Sequence, residues 1–313
     1  MNPLVSILIP LYNVENFLPK CLDSVVNQNY QHLQVVIVDD GSADGSLDIA
    51  LSYSERYSFI EVYHQENSGV AAARNTLLSH VKGEFFIFID SDDWIELNMI
   101  SFLVDKANES KADAITCRIV FDDTYCKSDY KQDSWNQETL IYNFLCHKVI
   151  SGSLCNKLIR SNLIRGFKFS LGISYGEDTL FCWRLFQNVT LLLYTDKELY
   201  HYRTNQTSLS RSNWHPDKKG TGHLVWQMIS EDTIKLWPQF INIAKTRFAI
   251  EDFWALYYAS AAGYTYDQHI KLRQYNVRKN FIQILMSNLV STKIKVCALI
   301  SSFNYSLLKY FSK

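Results

Sequence analysis

The sequence predicts an α/β protein: a parallel sheet flanked by helices, then a mixed segment, then helices alone. Three observations predict it. Short apolar runs of strand length alternate with stretches of helical periodicity over the first ninety residues. Two of those runs end in acidic clusters, Asp39-Asp40 and Asp90-Ser91-Asp92-Asp93. Beyond Pro216 only helical periodicity remains.

The elements follow in chain order. Residues 5–10 form an apolar run of the kind buried on both faces of a parallel sheet. Asn13 is placed to cap a helix carrying Phe17, Leu18, Cys21, Leu22, Val25 and Val26 at spacings of one, three and four. A second strand is expected over 34–38, a helix through 49–57, a third strand over 59–63, a helix over 68–81 and a fourth strand over 84–89. Such alternation implies right-handed crossovers and therefore parallel strands. From Trp94 to about His215 the pattern is mixed, with strands expected over 112–120 and 190–194 and helices over 138–149 and 179–186. Four helices close the chain, over 224–236, 240–258, 270–289 and 294–310. A soft boundary near Trp214-His215-Pro216 separates a domain of residues 1–215 from a helical region of residues 216–313.

Composition narrows the function. Of 313 residues 47% are hydrophobic and 20% charged, which supplies a large core and excludes a disordered chain. With 31 basic and 32 acidic residues the chain lacks the basic excess of a general nucleic-acid binder. The balance hides an asymmetry: residues 216–313 carry 13 Lys+Arg against 6 Asp+Glu. Lys271, Arg273, Arg278, Lys279, Lys293, Lys295, Lys309 and Lys313 share the tail with Ile282, Leu285, Phe303, Leu307 and Phe311. Basic residues along an apolar stripe suit an interfacial helix on an anionic membrane surface. A solvated basic face over a helical bundle, or an oligomer interface, suits them equally. No clean 18-residue apolar run occurs, so a membrane span is not expected. Seven scattered cysteines without a C-x-x-C pair argue against a disulfide framework or zinc knuckle. A cytoplasmic protein is expected, with the inner face of the cell membrane as the place where a basic tail would act. The first apolar stretch is too short for a signal peptide and lacks a basic start.

Ligands of parallel sheets bind at the carboxyl ends of the strands, where this chain places both acidic clusters. Asp90-x-Asp92 offers two carboxylates, and hard divalent cations take such oxygens together with substrate phosphates. In the stretch from Asn67 to Asn75 a loop glycine, Gly69, meets a helix of small residues with Arg74 one turn in. A helix start and an Arg together receive an anion, although three alanines also serve close helix–sheet packing. The G-x-x-x-x-G-K-[ST] and G-x-G-x-x-G fingerprints are absent, as are G-x-S-x-G and H-E-x-x-H.

Four blocks occur in order: Pro10-Leu11-Tyr12-Asn13, Val38-Asp39-Asp40-Gly41-Ser42, Asn67-Ser68-Gly69 with Ala73-Arg74-Asn75, and Asp90-Ser91-Asp92-Asp93. Together they resemble the family 2 glycosyltransferases, inverting enzymes of the GT-A fold that use nucleotide-diphosphate sugars. The resemblance covers residues 4 to about 215. It implies a Rossmann-like central sheet flanked by helices, a nucleotide half of about 1–93 and an acceptor half of about 94–215. It implies that Pro10, Tyr12, Asp40, Asn67, Gly69, Arg74, Asp90 and Ser91 line the nucleotide-sugar site. Tyr12 would stack near the base, unless it is a strand-end core aromatic. Asp40 would accept from uracil N3–H, Asp39 would serve the turn or neighbour the ribose, and Asp90 would sit by the ribose. Asp92 would hold a divalent metal, Mn²⁺ or Mg²⁺, on the diphosphate. Metal and Arg74 would neutralise the leaving group.

Two later blocks carry further implications. Gly176-Glu177-Asp178 resembles the family's E-D motif, which makes Asp178 the general base with Glu177 beside it. The competing explanation is that acidic residues favour a first helical turn. His201-Tyr202-Arg203, with Ser208, resembles the segment that closes over the diphosphate. His201 would be a metal ligand or diphosphate donor, or a structural histidine. Lys157, in Asn156-Lys157-Leu158, and Arg203 would face diphosphate or acceptor.

The resemblance therefore implies transfer from a nucleotide-diphosphate sugar, most simply a UDP-sugar, to a hydroxyl of a glycan or lipid-linked oligosaccharide acceptor in cell-surface polysaccharide assembly. A sugar-nucleotide nucleotidyltransferase would share the sheet and the acidic site, but it usually opens on a Gly-rich loop that Pro10-Leu11-Tyr12-Asn13 does not supply. A non-catalytic partner protein would be free to lose Asp92 and Asp178, and both are present.

Overall fold

The computed structural model describes residues 2–121, 131–146, 150–204, 220–265 and 267–311. The chain divides into two compact units: residues 1–141, 152–171 and 181–204 form the first, and residues 142–151, 172–180 and 205–313 the second. The expected boundary at 214–216 lies outside the described residues. Two stretches from before it, 142–151 and 172–180, group with the helices that follow it.

The first unit is built on a nine-stranded mixed sheet. Its parallel half has the order β3 (Ile60–His64), β2 (Leu33–Asp39), β1 (Val5–Leu11), β4 (Phe85–Phe88). Every residue of β2 is buried, and all of β1 but Pro10, as central strands covered on both faces require. The crossovers are α1 (Leu18–Val26), α2 (Ser46–Arg56) and α3 (Val70–Ser79). They match the expected elements closely. Asn13 does not cap α1. Phe17 stands at the cap with Pro19 in the first turn, while Asn13 takes φ +50° and its Oδ1 accepts from Ala43 N at 2.8 Å. Pro pre-sets the first helical φ, and Asn is among the few residues that tolerate the left-handed region.

The other half turns antiparallel. β8 (Lys157–Arg160) runs against both β4 and β6 (Ala114–Phe121). β6 lies parallel to β9 (Leu191–Tyr202), which also receives β5 (Trp94–Ile95) and β7 (Gln132–Asn136) in antiparallel register. Helix α4 (Met99–Ser110) leads into β6. Helices α5 (Gln137–Cys146) and α6 (Glu177–Phe186) each cross the division between the units.

The second unit continues with α7 (Thr221–Leu236), α8 (Ile241–Ala261), α9 (Gln268–Lys279), α10 (Phe281–Met286) and α11 (Thr292–Phe303), then a 3₁₀ segment, Tyr305–Phe311. Phe253, Leu256, Ile270, Val277, Ile284, Ala298 and Leu308 form a core there. Of the four helices expected there, those over 270–289 and 294–310 are broken. The first breaks at Asn280, whose buried amide donates to Asn276 O, and the second at Asn304. The tail is thus not one amphipathic helix. Arg273 is 1% exposed and paired with Asp252, and Arg278 donates to Ser302 O. Lys271, Lys279, Lys293 and Lys309 remain exposed. No helix among the described residues is long and apolar enough to cross a membrane. The six described cysteines are buried; Cys126 lies outside the described residues.

Candidate active site

The parallel half of the sheet brings three loops to one edge. β1 and β2 end side by side, Leu11 opposite Asp39, and Asp40 N donates to Leu11 O at 2.9 Å. Ile89 N donates to Leu8 O at 3.0 Å, which sets the end of β4 beside β1. Tyr12, Asp40 and Asp90 therefore leave the same carboxyl edge of the first unit.

The first two loops are laced together. Asn13 N donates to Ser42 Oγ, Val14 N to Ser46 Oγ, and Gly45 N to Glu15 Oε2 at 2.7 Å. Tyr12 follows β1 with half of its surface exposed, so it is not a core aromatic. Pro10 is partly buried within β1.

Asp40 organises the third segment. It is 3% exposed; its Oδ1 accepts from Gln65 Nε2 (2.7 Å) and Ser68 N (3.0 Å), and its Oδ2 from Gly69 N (2.8 Å). Asn67 Nδ2 donates to Asp40 O at 3.0 Å. A carboxylate offers about four lone-pair positions, so roughly one remains for a ligand N–H. The close approach requires glycine at 41, with φ +74°, because a Cβ there would stand 2.8 Å from Asn67 N. Asp39 is fully buried, accepting from Ser42 N and lying 2.7 Å from His64 Nδ1, which is the turn role expected of it.

The acidic loop after β4 is clamped by the end of β9. Asp93 is 1% exposed; its Oδ2 accepts from Tyr200 OH at 2.5 Å and its Oδ1 from Arg203 N at 2.8 Å. Tyr200 OH in turn accepts from Asp90 N. Arg203 Nε donates to Asp92 O at 3.0 Å, with its guanidinium 4.5 Å from the Phe17 ring centroid and 5.3 Å from that of Trp94. Arg74, buried, places Nη2 3.4 Å from Asp90 Oδ1 over the rings of Phe88 and Phe169. Ser91 is 7% exposed. Asp93 and its clamp carry a role that the sequence did not reveal.

Burial, and then the charge of Asp90, push Asp92 up to about 6. Burial, and then Asp90 and Asp92, push Asp93 up to about 8. A crowd of carboxylates of this kind fits a cation. Ligand atoms of Asp90, Asp93 and Cys155 lie within 4.8 Å of one another. Both oxygens of Asp93 are already engaged, and Cys155 is a buried thiol pushed well above its ordinary range. Thiol is also a poor match for Mg²⁺ or Mn²⁺. Asp90 and Asp92 are the donors that fit a hard cation.

Two expectations meet a different arrangement. His201 is 1% exposed, stacked on Trp94 at 5.1 Å and 6°, with Nε2 2.7 Å from Glu96 Oε1. Its place opposite Trp94 in the β5–β9 register turns it to Glu96, where it braces Trp94. Lys157 is fully buried; its ammonium donates to Ser153 O at 2.6 Å and Asn156 Oδ1 at 2.9 Å. It is the first residue of β8, inside the sheet. Ser208 lies outside the described residues.

Glu177 and Asp178 belong to the second unit, in the first turn of α6. Both are partly buried, and Asp178 Oδ1 accepts from Thr179 N at 2.6 Å. Gly176 precedes them at φ +88°, over Val225.

Asp93 carries a prediction on stability. Its folded pKa of about 8 lies above the usual carboxylate value of about 4. Between about pH 4 and pH 8 the folded state keeps a proton that the unfolded state has lost, so stability falls as pH rises. The melting temperature of chelator-treated protein should drop between pH 6 and pH 8.5, and Asp93→Asn should flatten that slope. A slope unaltered by the substitution would contradict the assignment.

With the geometry established, the comparisons with known proteins are specific. The sequence model of the family described as Glycosyl transferase family 2 matches residues 6–167. Glycosyltransferase GlyA of Streptococcus pneumoniae serotype 4 is 33% identical over 219 residues, 66% of this chain and 31% of that protein. Putative glycosyltransferase EpsH of Bacillus subtilis strain 168 is 35% identical over 217 residues, 66% of this chain and 63% of that one. The match thus spans about a third of the first relative and under two thirds of the second. The crystal structure of S. aureus TarS 1–349 in complex with UDP superposes with a TM-score of 0.71, covering 98% of this chain and 90% of that one. At 18% identity that likeness is one of fold.

Proposed function

The chain belongs to glycosyl transferase family 2, and from that premise we propose that it moves a sugar from a UDP-sugar to a glycan hydroxyl, with inversion, in the assembly of a cell-surface polysaccharide. The observation that carries this reading is the meeting of Tyr12, Asp40, the Asn67–Gly69 loop and the Asp90–Asp93 loop on one carboxyl edge. The acceptor position left on Asp40 suits the N3–H of uracil, and the exposed ring of Tyr12 suits its face. The fold likeness to a protein solved with UDP supports the same nucleotide.

In this mechanism Asp90 and Asp92 would hold Mn²⁺ or Mg²⁺, and the ion would supply charge neutralisation on the diphosphate. The chain's own residues do the rest. Asp93, held by Tyr200 and Arg203, keeps the acidic loop in place. Arg74 and Arg203 add positive charge beside it. Asp178 takes the proton of the acceptor hydroxyl as that oxygen bonds to the anomeric carbon and the bond to the diphosphate breaks. Attack opposite the leaving group inverts the centre, giving a β-linkage from an α-linked donor. Glu177 flanks the base in the same helical turn. His201 positions Trp94 and Glu96.

The test is calorimetric titration of UDP and of GDP, each with and without Mn²⁺. Metal-dependent binding of UDP in preference to GDP is expected. Binding of neither nucleotide would remove the reading.

A further inference from the structure

The last helices of the chain are packed inside out. α11 buries Cys297, Ala298, Ser301 and Ser302 and exposes Val296, Leu299 and Phe303, the last at 73%. Positions 296, 299 and 303 share one helix face, at spacings of three and four. The large apolar side chains of this helix therefore meet solvent while its small and polar ones meet the bundle. A helix laid over a core shows the reverse pattern. α9 repeats the inversion. It buries Arg273, Gln274 and Asn276 beside Ile270 and Val277, and it exposes Leu272 and Tyr275, again three apart. α10, between them in the chain, exposes Ile282, Leu285 and Met286.

The polar faces hold α9 and α11 together and so fix which sides point outward. Gln274 Nε2 donates to Ser301 O at 2.8 Å, and Arg278 Nε and Nη2 donate to Ser302 O at 3.2 and 2.5 Å. The outer sides of the two helices meet at Arg278. This residue is exposed one turn on from Tyr275, and its guanidinium lies 5.7 Å from the centroid of the Phe303 ring. Lys279 Nζ lies 6.0 Å from the Tyr275 ring centroid. In the 3₁₀ segment that follows α11, Leu307 and Tyr310 are exposed three apart, with Lys309 Nζ 5.2 Å from the Tyr310 ring. Charge accompanies the apolar side chains. Lys271, Lys279 and Lys293 are exposed, and no acidic residue occurs from Gln268 to Lys313.

We propose that the outer faces of α9 and α11 dock on the surface of a membrane containing anionic phospholipid. The proposal does not depend on the transferase reading. Val296, Leu299 and Phe303 would enter the boundary between headgroups and acyl chains, and the lysines, on long apolar stems, would reach the lipid phosphates. The ring and hydroxyl of Tyr275 suit the same boundary, apolar at one end and wet at the other. A second copy of the chain fits this face less well. A two-fold interface sets a patch against itself, so Lys271, Lys279 and Lys293 would meet like charges with no carboxylate of α9 or α11 to answer them.

The experiment is co-sedimentation of the full chain with vesicles of phosphatidylcholine alone and of phosphatidylcholine with phosphatidylglycerol, at low and high salt. Light scattering of the protein without vesicles and thermal unfolding run alongside. The wild type should bind the vesicles that contain phosphatidylglycerol in preference to the others, and salt should weaken that binding. Leu299→Ser combined with Phe303→Ser should weaken it at least about tenfold. Lys279→Gln combined with Lys293→Gln should do the same. All four side chains are exposed, so both double variants should melt at or near the wild-type temperature. No binding of the wild type to anionic vesicles, equal binding to both kinds, or undiminished binding of the Leu299→Ser, Phe303→Ser variant would overturn the proposal. A wild-type dimer that this variant returns to monomer, without vesicle binding, would assign the face to a second copy of the chain instead.

Discussion

Asp178→Asn is expected to leave UDP binding within about twofold and to lower turnover by roughly 10³, within the range for loss of a positioned general base. Asn is nearly isosteric and its Oδ1 can still accept from Thr179 N, the contact that Asp178 Oδ1 makes at 2.6 Å. What disappears is the capacity to take a proton. The competing explanation of Asp178 is purely structural, an acidic residue in the first turn of α6 beside Glu177. That role would contribute about 0.3–1 kcal/mol of stability through the helix dipole. Its loss would lower the melting temperature slightly and spare turnover. Measuring kcat and thermal unfolding on the same preparation therefore separates the two. Glu177→Gln is the control, since it removes the same kind of first-turn charge without removing the base. Unchanged turnover in Asp178→Asn would eliminate it as base.

The parallel half of the sheet was legible because β1 and β2 are buried along nearly their whole length, and burial on both faces writes itself as an uninterrupted apolar run. β7, Gln132–Asn136, could not be read this way, because only Trp135 of its five residues is buried. β5 and β8 span two and four residues, too short for any period to show. β9 extends to Tyr202 through Thr195-Asp196-Lys197-Glu198, a polar interruption that hid its second half.

The site divides along the same line. Asp40, Asp90 and Asp92 were visible because strand ends can be located from the strands. The Asp93 clamp was not, since Tyr200 OH and Arg203 N reach it across 107 and 110 residues, and only the register of β9 brings them there. The burial of His201 and Lys157 was equally hidden: residue type suggests chemistry, whereas direction and burial come from the sheet. Likewise no sequence signal marked 172–180 as part of the helical unit, because its contacts with Thr221 and Val225 join segments far apart in the chain.

Asp92→Ala is expected to weaken Mn²⁺-dependent UDP binding by at least about tenfold and to abolish most of its metal dependence, as losses at ligating groups do. It should do so without destabilising the metal-free protein. The carboxylate of Asp92 is pushed up to about 6 by burial and by Asp90, so at pH 7.5 it is charged in surroundings that disfavour the charge. Above that folded pKa the penalty is present in full, and below the usual carboxylate value of about 4 it vanishes. Removing the group at pH 7.5 therefore removes a cost, and the melting temperature of the chelated variant should equal or exceed that of the chelated wild type. A structural aspartate would give the reverse pair of results, a lower melting temperature with unaltered metal dependence. The combination of lost binding and retained or increased stability is the signature of a site kept at the expense of the fold. Asp93→Asn offers the contrast. At pH 7.5 it relieves little charge, because Asp93, pushed up to about 8, is mostly protonated there, but it loosens the contacts of Tyr200 and Arg203 with the acidic loop. Its effect on UDP binding should accordingly be smaller than that of Asp92→Ala, and equal effects would move the metal-holding role from Asp92 to the loop as a whole.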